Sequence, residues 1–184
     1  AKDTEGNVGS INLTALLTSD GKALKGKTVL LNIANQTLNA TSDENGILIF
    51  DLSSLDAGIY DANIVFEEDN SYKNCSFAVK VTINKLNAEI SSKFEDDKLN
   101  VTLKYGDSPI ESKNITVTIT KIDSSSGNGS DSSNNTNDTI AVINTVTDKD
   151  GVAIIDLSDL EASDYNAVIS AAEDDRFNSI EDKI

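Results

Sequence analysis

The chain contains a second copy of part of itself. Residues 40–76 and 145–181 agree at thirteen of 37 positions, without a gap, at a constant offset of 105. The matches include Asp43/Asp148, Gly46/Gly151, Ile49/Ile154, Leu52/Leu157, Leu55/Leu160, Tyr60/Tyr165, Ala62/Ala167 and Ile64/Ile169. These are turn formers and apolar residues, the types that fix a backbone rather than decorate a surface. A shared fold explains such a repeat better than a shared chemistry. Upstream, residues 24–33 match residues 110–119 at an offset of 86. The offset therefore jumps by 19, and the second copy carries that many extra residues near 121–140. This tract, rich in Ser, Asn, Gly and Asp, has almost no apolar residue between Ile122 and Ile140. Such a composition cannot bury enough surface to order itself, so it reads as a long mobile hairpin tip.

Periodicity gives the class. Val29, Leu31 and Ile33 recur at every second position, as do Ile115, Val117 and Ile119. So do Tyr60, Ala62, Ile64 and Phe66, and then Phe77, Val79, Val81 and Ile83. A period of two means half-buried strands. Residues 43–46 and 148–151 read Asp-x-x-Gly, where glycine supplies positive φ at a turn. Turns recur roughly every ten residues, which points to sheet-on-sheet packing rather than alternating strands and helices. Residues 55–60 spell Leu-x-x-Gly-x-Tyr, the spacing of a tyrosine corner in Greek-key sandwiches. The second copy keeps Leu160 and Tyr165 but has Ser163 for the glycine.

The expected fold is all-β: two tandem immunoglobulin-like (Greek-key) β-sandwich domains, residues 1–85 and 86–184, joined by a short linker at 84–87. Gly46 and Gly151 would hold the turns, and Leu55, Tyr60, Leu160 and Tyr165 the corners. Residues 2–7 are polar and look unlike the apolar-alternating start of the second copy at 88–94, so the first domain is expected to lack its first strand. The second stops before most of its last one. An apolar share of 38% implies thin cores.

Composition removes several functions. The chain has 31 acidic and 15 basic residues, a net charge of −16. That balance repels phosphate backbones and anionic membranes and favours solubility. No stretch is apolar for the roughly 18 residues a membrane helix requires, and a leader and anchor are expected to lie outside this fragment. Histidine is absent, which removes the commonest general base and metal ligand. Cys75 is the single cysteine, so no internal disulfide forms, and it reads as a small half-buried strand residue. The expectation is no enzyme and no cofactor.

Taken in order, Lys25-Gly-Lys27, an alternating strand, residues 41–46, Phe50-x-Leu52, the Leu55–Tyr60 corner and the acidic run 67–72 resemble the immunoglobulin-like repeats of archaeal, especially methanogen, adhesin-like surface proteins. The second copy repeats the order through residues 148–151 and 173–177. The resemblance covers most of the chain and implies a stalk or spacer on the cell envelope, an extracellular location, and neighbouring repeats of the same protein as partners. Asn-x-Ser/Thr sequons fit an exported chain: they begin at Asn12, Asn35, Asn39, Asn74, Asn100, Asn114, Asn128, Asn134 and Asn137. Asn128, Asn134 and Asn137 fall in the extra tract, the most accessible place for a glycan.

Three site chemistries remain. Glu67, Glu68 and Asp69, and likewise Glu173, Asp174 and Asp175, crowd carboxylates into one loop and are weak calcium candidates, with a solvated loop the favoured reading. Lys27 and Lys113 occupy matching positions before an inner strand, where surface modules sometimes form Lys–Asn or Lys–Asp isopeptide bonds, but no acid partner is evident. A glycan or surface protein is the alternative ligand. With no Trp, four Tyr and five Phe, most already committed to packing, an aromatic sugar platform has little to build on; Tyr105 stands alone.

Overall fold

The computed structural model describes residues 2–122 and 139–184; the mobile-tip reading and sequons Asn128, Asn134 and Asn137 lie outside them. The structure is all-β and divides into two compact units, Ala1–Leu86 and Asn87–Ile184.

The first unit contains β1 (Thr4–Asn7), β2 (Asn12–Leu16), β3 (Thr18–Ser19), β4 (Lys22–Ala23), β5 (Thr28–Ile33), β6 (Gln36–Thr41), β7 (Ile47–Asp51), β8 (Gly58–Phe66) and β9 (Cys75–Asn84). One sheet runs β1-β9-β8-β5-β6, the other pairs β2 with β7, and β3 and β4 form a small ribbon. Two sheets with crossing connections make the Greek-key sandwich of the immunoglobulin type. Inward residues of both sheets meet in the core: Leu13 and Ala15 from β2, Val29, Leu31 and Ile33 from β5, Leu48 and Phe50 from β7, and Ala62, Ile64 and Phe66 from β8 are all buried. The alternation read from sequence is the alternation of burial except at Phe77 on β9, which is 53% exposed.

The second unit contains β10 (Glu89–Glu95), β11 (Lys98–Tyr105), β12 (Ser108–Pro109), β13 (Asn114–Lys121), β14 (Thr139–Val146), β15 (Val152–Asp156), β16 (Tyr165–Ala171) and β17 (Ile180–Lys183). Its sheets are β14-β13-β16-β17, and β10-β11-β15 with β12 also on β11. Leu99, Val101, Leu103, Ile115, Val117, Ile119, Ala153, Ile155 and Ile169 form its core. Each of these strands except the first has a counterpart in the first unit.

Residues 2–7 correct the expectation of a missing strand. They hold β1, which runs parallel to β9 with Thr4 opposite Val81 and Asn7 opposite Asn84. Polarity misled because β1 lies at a sheet edge, where its contacts are backbone and side-chain hydrogen bonds: Lys80 N–H to Asp3 Oδ1 at 2.9 Å and Asn84 Nδ2 to Glu5 Oε1 at 2.9 Å. The first strand thus joins different sheets in the two units, since β10 pairs antiparallel with β11 instead. In the first unit the turn after β1 sends Val8 and Ile11 into the core, 4% and 3% exposed. At the 86 offset their counterparts are Phe94, 62% exposed, and Asp97. A cleft of about 420 Å³ lies there, lined in part by Phe94, Leu99, Ile119, Leu160 and Tyr165.

Candidate functional site

The strongest local constraints in each unit gather at its loop end. In the first unit, Asp43 Oδ1 accepts the N–H groups of Asn45 and Ile47, each at 2.8 Å. A carboxylate capping two amides stiffens the turn. Gly46 closes it with φ +75°, and a Cβ there would sit 2.4 Å from the Leu17 carbonyl oxygen. Beside the turn, buried Ser42 donates its hydroxyl to Leu24 O at 2.6 Å and accepts the Lys27 N–H at 3.0 Å. Lys27 then reaches the loop between β8 and β9. Its ammonium donates to Asp69 Oδ2 at 2.5 Å and lies 4.9 Å from the centre of the Tyr72 ring. The other oxygen, Asp69 Oδ1, accepts the N–H groups of Ser71 and Tyr72. The lysine and these amides hold the Asp69 carboxyl below its ordinary range.

The second unit repeats the arrangement with different residues. Asp148 Oδ1 accepts the N–H groups of Asp150 and Val152 at 2.9 Å each. The Val152 amide is the chief cause of its lowered carboxyl. Gly151 has φ +73°, with Leu103 O 2.5 Å from where a Cβ would be. Buried Thr147 takes the place of Ser42, donating to Ile110 O at 2.6 Å and accepting the Lys113 N–H at 2.9 Å. Lys113 Nζ meets Asp174 Oδ2 at 2.6 Å, while Asp174 Oδ1 accepts the N–H groups of Arg176 and Phe177. Partial burial pushes the Asp174 carboxyl up. The Lys113 ammonium and the two amides outweigh it and bring the carboxyl down to about 2. Phe177 meets Tyr105 edge-on at 6.5 Å, so Tyr105 is a packing residue here and not the lone aromatic its sequence position suggested.

The corners are built alike. The Tyr60 hydroxyl donates to Asp56 O at 2.9 Å and the Tyr165 hydroxyl to Glu161 O at 2.8 Å. Leu55 is buried and Leu160 half-buried, each donating its N–H to a leucine carbonyl three residues back. Replacing Gly58 by Ser163 leaves the tyrosine hydrogen bond intact.

The calcium candidates do not assemble into a ligand set. Among the described residues no group of three or more His, Cys, Asp or Glu side chains is placed to hold a metal. Asp69 and Asp174, one member of each acidic run, have both oxygens engaged by a lysine and two amides. A cation would have to displace the lysine. Glu67, Glu68, Glu173 and Asp175 are exposed. The Lys27 and Lys113 geometry has the contact an isopeptide bond requires, but amide formation starts from a neutral amine and a protonated acid. The lowered carboxyls favour the ion pair instead. Cys75 is exposed on β9, not half-buried. Of the described sequons, Asn12, Asn35, Asn39, Asn74 and Asn114 are exposed and Asn100 is half-buried.

Sequence reading missed the buried hydroxyls and the Lys–Asp clasps. The signal was present: Ser42 aligns with Thr147 and Asp69 with Asp174 at the 105 offset, and Lys27 with Lys113 at 86.

No family model and no curated protein matches the chain. Solved structures that match the chain include one of a 1.5-MDa bacterial ice-binding adhesin, 16% identical with a TM-score of 0.33, covering 95% of this chain and 55% of that one. The D0-D1 domain of intimin is 17% identical over 97% of this chain and 93% of that one, with a TM-score of 0.32. A Parabacteroides merdae beta-glucuronidase, at 13% identity and a TM-score of 0.30, is matched over 99% of this chain but 23% of its own. The chain spans about half of the adhesin structure and under a quarter of the glucuronidase.

Proposed function

We propose that this chain is a non-enzymatic structural and adhesive repeat module, a load-bearing stalk or spacer of an adhesin-like protein on a cell surface, of the kind found in archaeal adhesin-like proteins. The observation that carries the reading is the pairing of β1 with β9. The two strands run parallel, so tension applied at β1 and at the end of β9 pulls them past each other. Their hydrogen bonds are then loaded together in shear instead of being opened one by one. What the two units share supports the same reading: turns, buried hydroxyls, clasps and corners, all of which maintain shape.

Single-molecule pulling tests it. Lys80 donates its N–H toward β1, and by strand alternation Thr82 does too. Thr82→Pro removes a bond to β1 while sparing those to β8. The expected result is a lower unfolding force for the first unit and no change in the second. An unfolding force unaffected by Thr82→Pro would sink the load-bearing role. Glycan-array binding that disappears when the loops are shortened would favour recognition over spacing.

A further inference from the structure

The second unit carries an open sheet edge with none of the usual protection. Edge strands are normally blunted by charge, proline or brevity, because their unpaired N–H and C=O groups recruit other strands. Strand β14, Thr-Ile-Ala-Val-Ile-Asn-Thr-Val, is eight residues long and contains no charge and no proline. It ends its sheet, pairing among the described residues only with β13. Its outward side chains Ile140, Val142 and Val146 are 43%, 56% and 51% exposed. In a chain carrying −16, that absence of charge continues across the outer face of the next two strands: Thr116, Thr118 and Thr120 on β13, and Asn166, Val168 and Ser170 on β16; charge returns on β17, with Lys183 opposite Val168 and Glu181 opposite Ser170. The other edges differ. Strands β10 and β17 are interrupted by charged residues. The first unit's β6 and β2 also lack charge and proline but have only six and five residues, and β6 presents Thr37, Asn39 and Thr41 outward.

We infer that β14 pairs antiparallel with β14 of a second copy, joining two four-stranded sheets across a two-fold axis. Two strongly acidic copies repel wherever their charges face each other, and β14 is a long strand where they can approach without that cost. The hydrogen-bond phase fits. Thr147 donates its N–H to Lys113 O, so the odd residues of β14 bond to β13, and Val142, Asn144 and Val146 turn their amides and carbonyls to the open side. Centring the pair on Ile143 sets Val142 against Asn144 of the other copy as hydrogen-bonded partners. The same register places Ala141 against Thr145 and, beyond the regular ladder, Val146 against Ile140, which matches apolar with apolar at the ends. A bulge at Ile119/Thr120 ends the regular ladder at Ala141, which limits the regular pairing to about five residues, 141–145. Such an interface is symmetric and closes on itself.

Sedimentation of the whole chain over a concentration series, in Cys75→Ser background, reads the pairing. The expected result is reversible dimer formation that strengthens with salt, because screening weakens the repulsion between copies. Val142→Lys places charge on the edge and should weaken dimerisation about tenfold or more. Ser76→Lys adds the same charge at an exposed site in the first unit and should leave dimerisation equal or slightly stronger. In the same background, Val142→Cys and Asn144→Cys chains mixed together should cross-link to each other faster than either does to itself. A monomer at every concentration, equal behaviour of the two lysine variants, or no preference for the mixed cross-link would each overturn the inference.

Discussion

Gly151→Ala separates steric contact from backbone strain. Gly151 has φ +73° and its Cβ would lie 2.5 Å from Leu103 O. Gly106, in the same unit, has φ +57° and nothing within 4 Å of its Cβ position. Both alanines suffer the left-handed penalty of about 1–2 kcal/mol, offset by about 0.4–1 kcal/mol of lost freedom in the unfolded chain. Gly106→Ala should therefore cost about 1 kcal/mol or less. At Gly151 the carbonyl that must move already accepts the Ile110 N–H at 3.0 Å, and the Leu103 N–H is bound to Gly151 O at 2.8 Å. Disturbing those bonds adds about 1–2 kcal/mol, for a total near 2–3 kcal/mol. In a domain of about 100 residues that lowers the melting temperature by roughly 10–20 °C. Hydrogen exchange read by mass spectrometry during urea unfolding resolves the two units, and the loss should be confined to residues 87–184. If the two variants differ by less than about 0.5 kcal/mol, or if the first unit weakens equally, the carbonyl contact does not limit this turn.

Three further outcomes follow from the clasps and hydroxyls. Thr147→Val keeps the shape but leaves the Lys113 N–H and Ile110 O without their shared buried partner, and should cost about 1–3 kcal/mol in urea denaturation, with Thr147→Ser largely restoring it. Asp174 titrates near 2 when folded, below its ordinary 3.8, so its contribution is fully present above about pH 4 and is lost as pH falls toward 2. The shift corresponds to about 2.4 kcal/mol, but a carboxylate 45% exposed is screened, so about 1 kcal/mol is the expected loss, absent in Asp174→Asn. Melting with calcium and with chelator should give the same midpoint, since one carboxylate of each acidic run, Asp69 and Asp174, is occupied by lysine; a rise in calcium would refute that assignment.

Much of the fold was legible because burial and repetition both leave period-two traces. Val29, Leu31 and Ile33 and their counterparts Ile115, Val117 and Ile119 announced their strands, and the paired Asp-x-x-Gly segments announced their turns. What stayed hidden depends on partners distant in sequence. Nothing local in Ser42 or Thr147 marks a buried hydroxyl, because its partners Leu24 O and Ile110 O are 18 and 37 residues away. Tyr105 seemed alone because Phe177 comes 72 residues later, and Thr4–Asn7 seemed structureless because its strand is made by Val81–Asn84. The acidic runs offered calcium only as the weaker alternative to a solvated loop, and the cation that one carboxylate of each run meets is a lysine already on the chain.

The one topological difference between the copies traces to a short turn. Asp96 and Asp97 both adopt positive φ, 50° and 58°, the twist that returns a strand directly onto its neighbour. Strand β10 is thereby bound to β11 as a hairpin. Before β2, only Gly9 of the turn residues has positive φ, and Val8 and Ile11 are apolar. A tight hairpin would leave them in water as it leaves Phe94, so burying both carries the chain across to β9 instead. That gives the first unit a parallel terminal pair, the geometry on which the proposed stalk role rests, and among the described residues β17 has no equivalent partner. Two copies of one fold thus differ in their terminal pairing while sharing every clasp and corner, because the first strand is bound by its edge alone and a few residues decide which edge it takes.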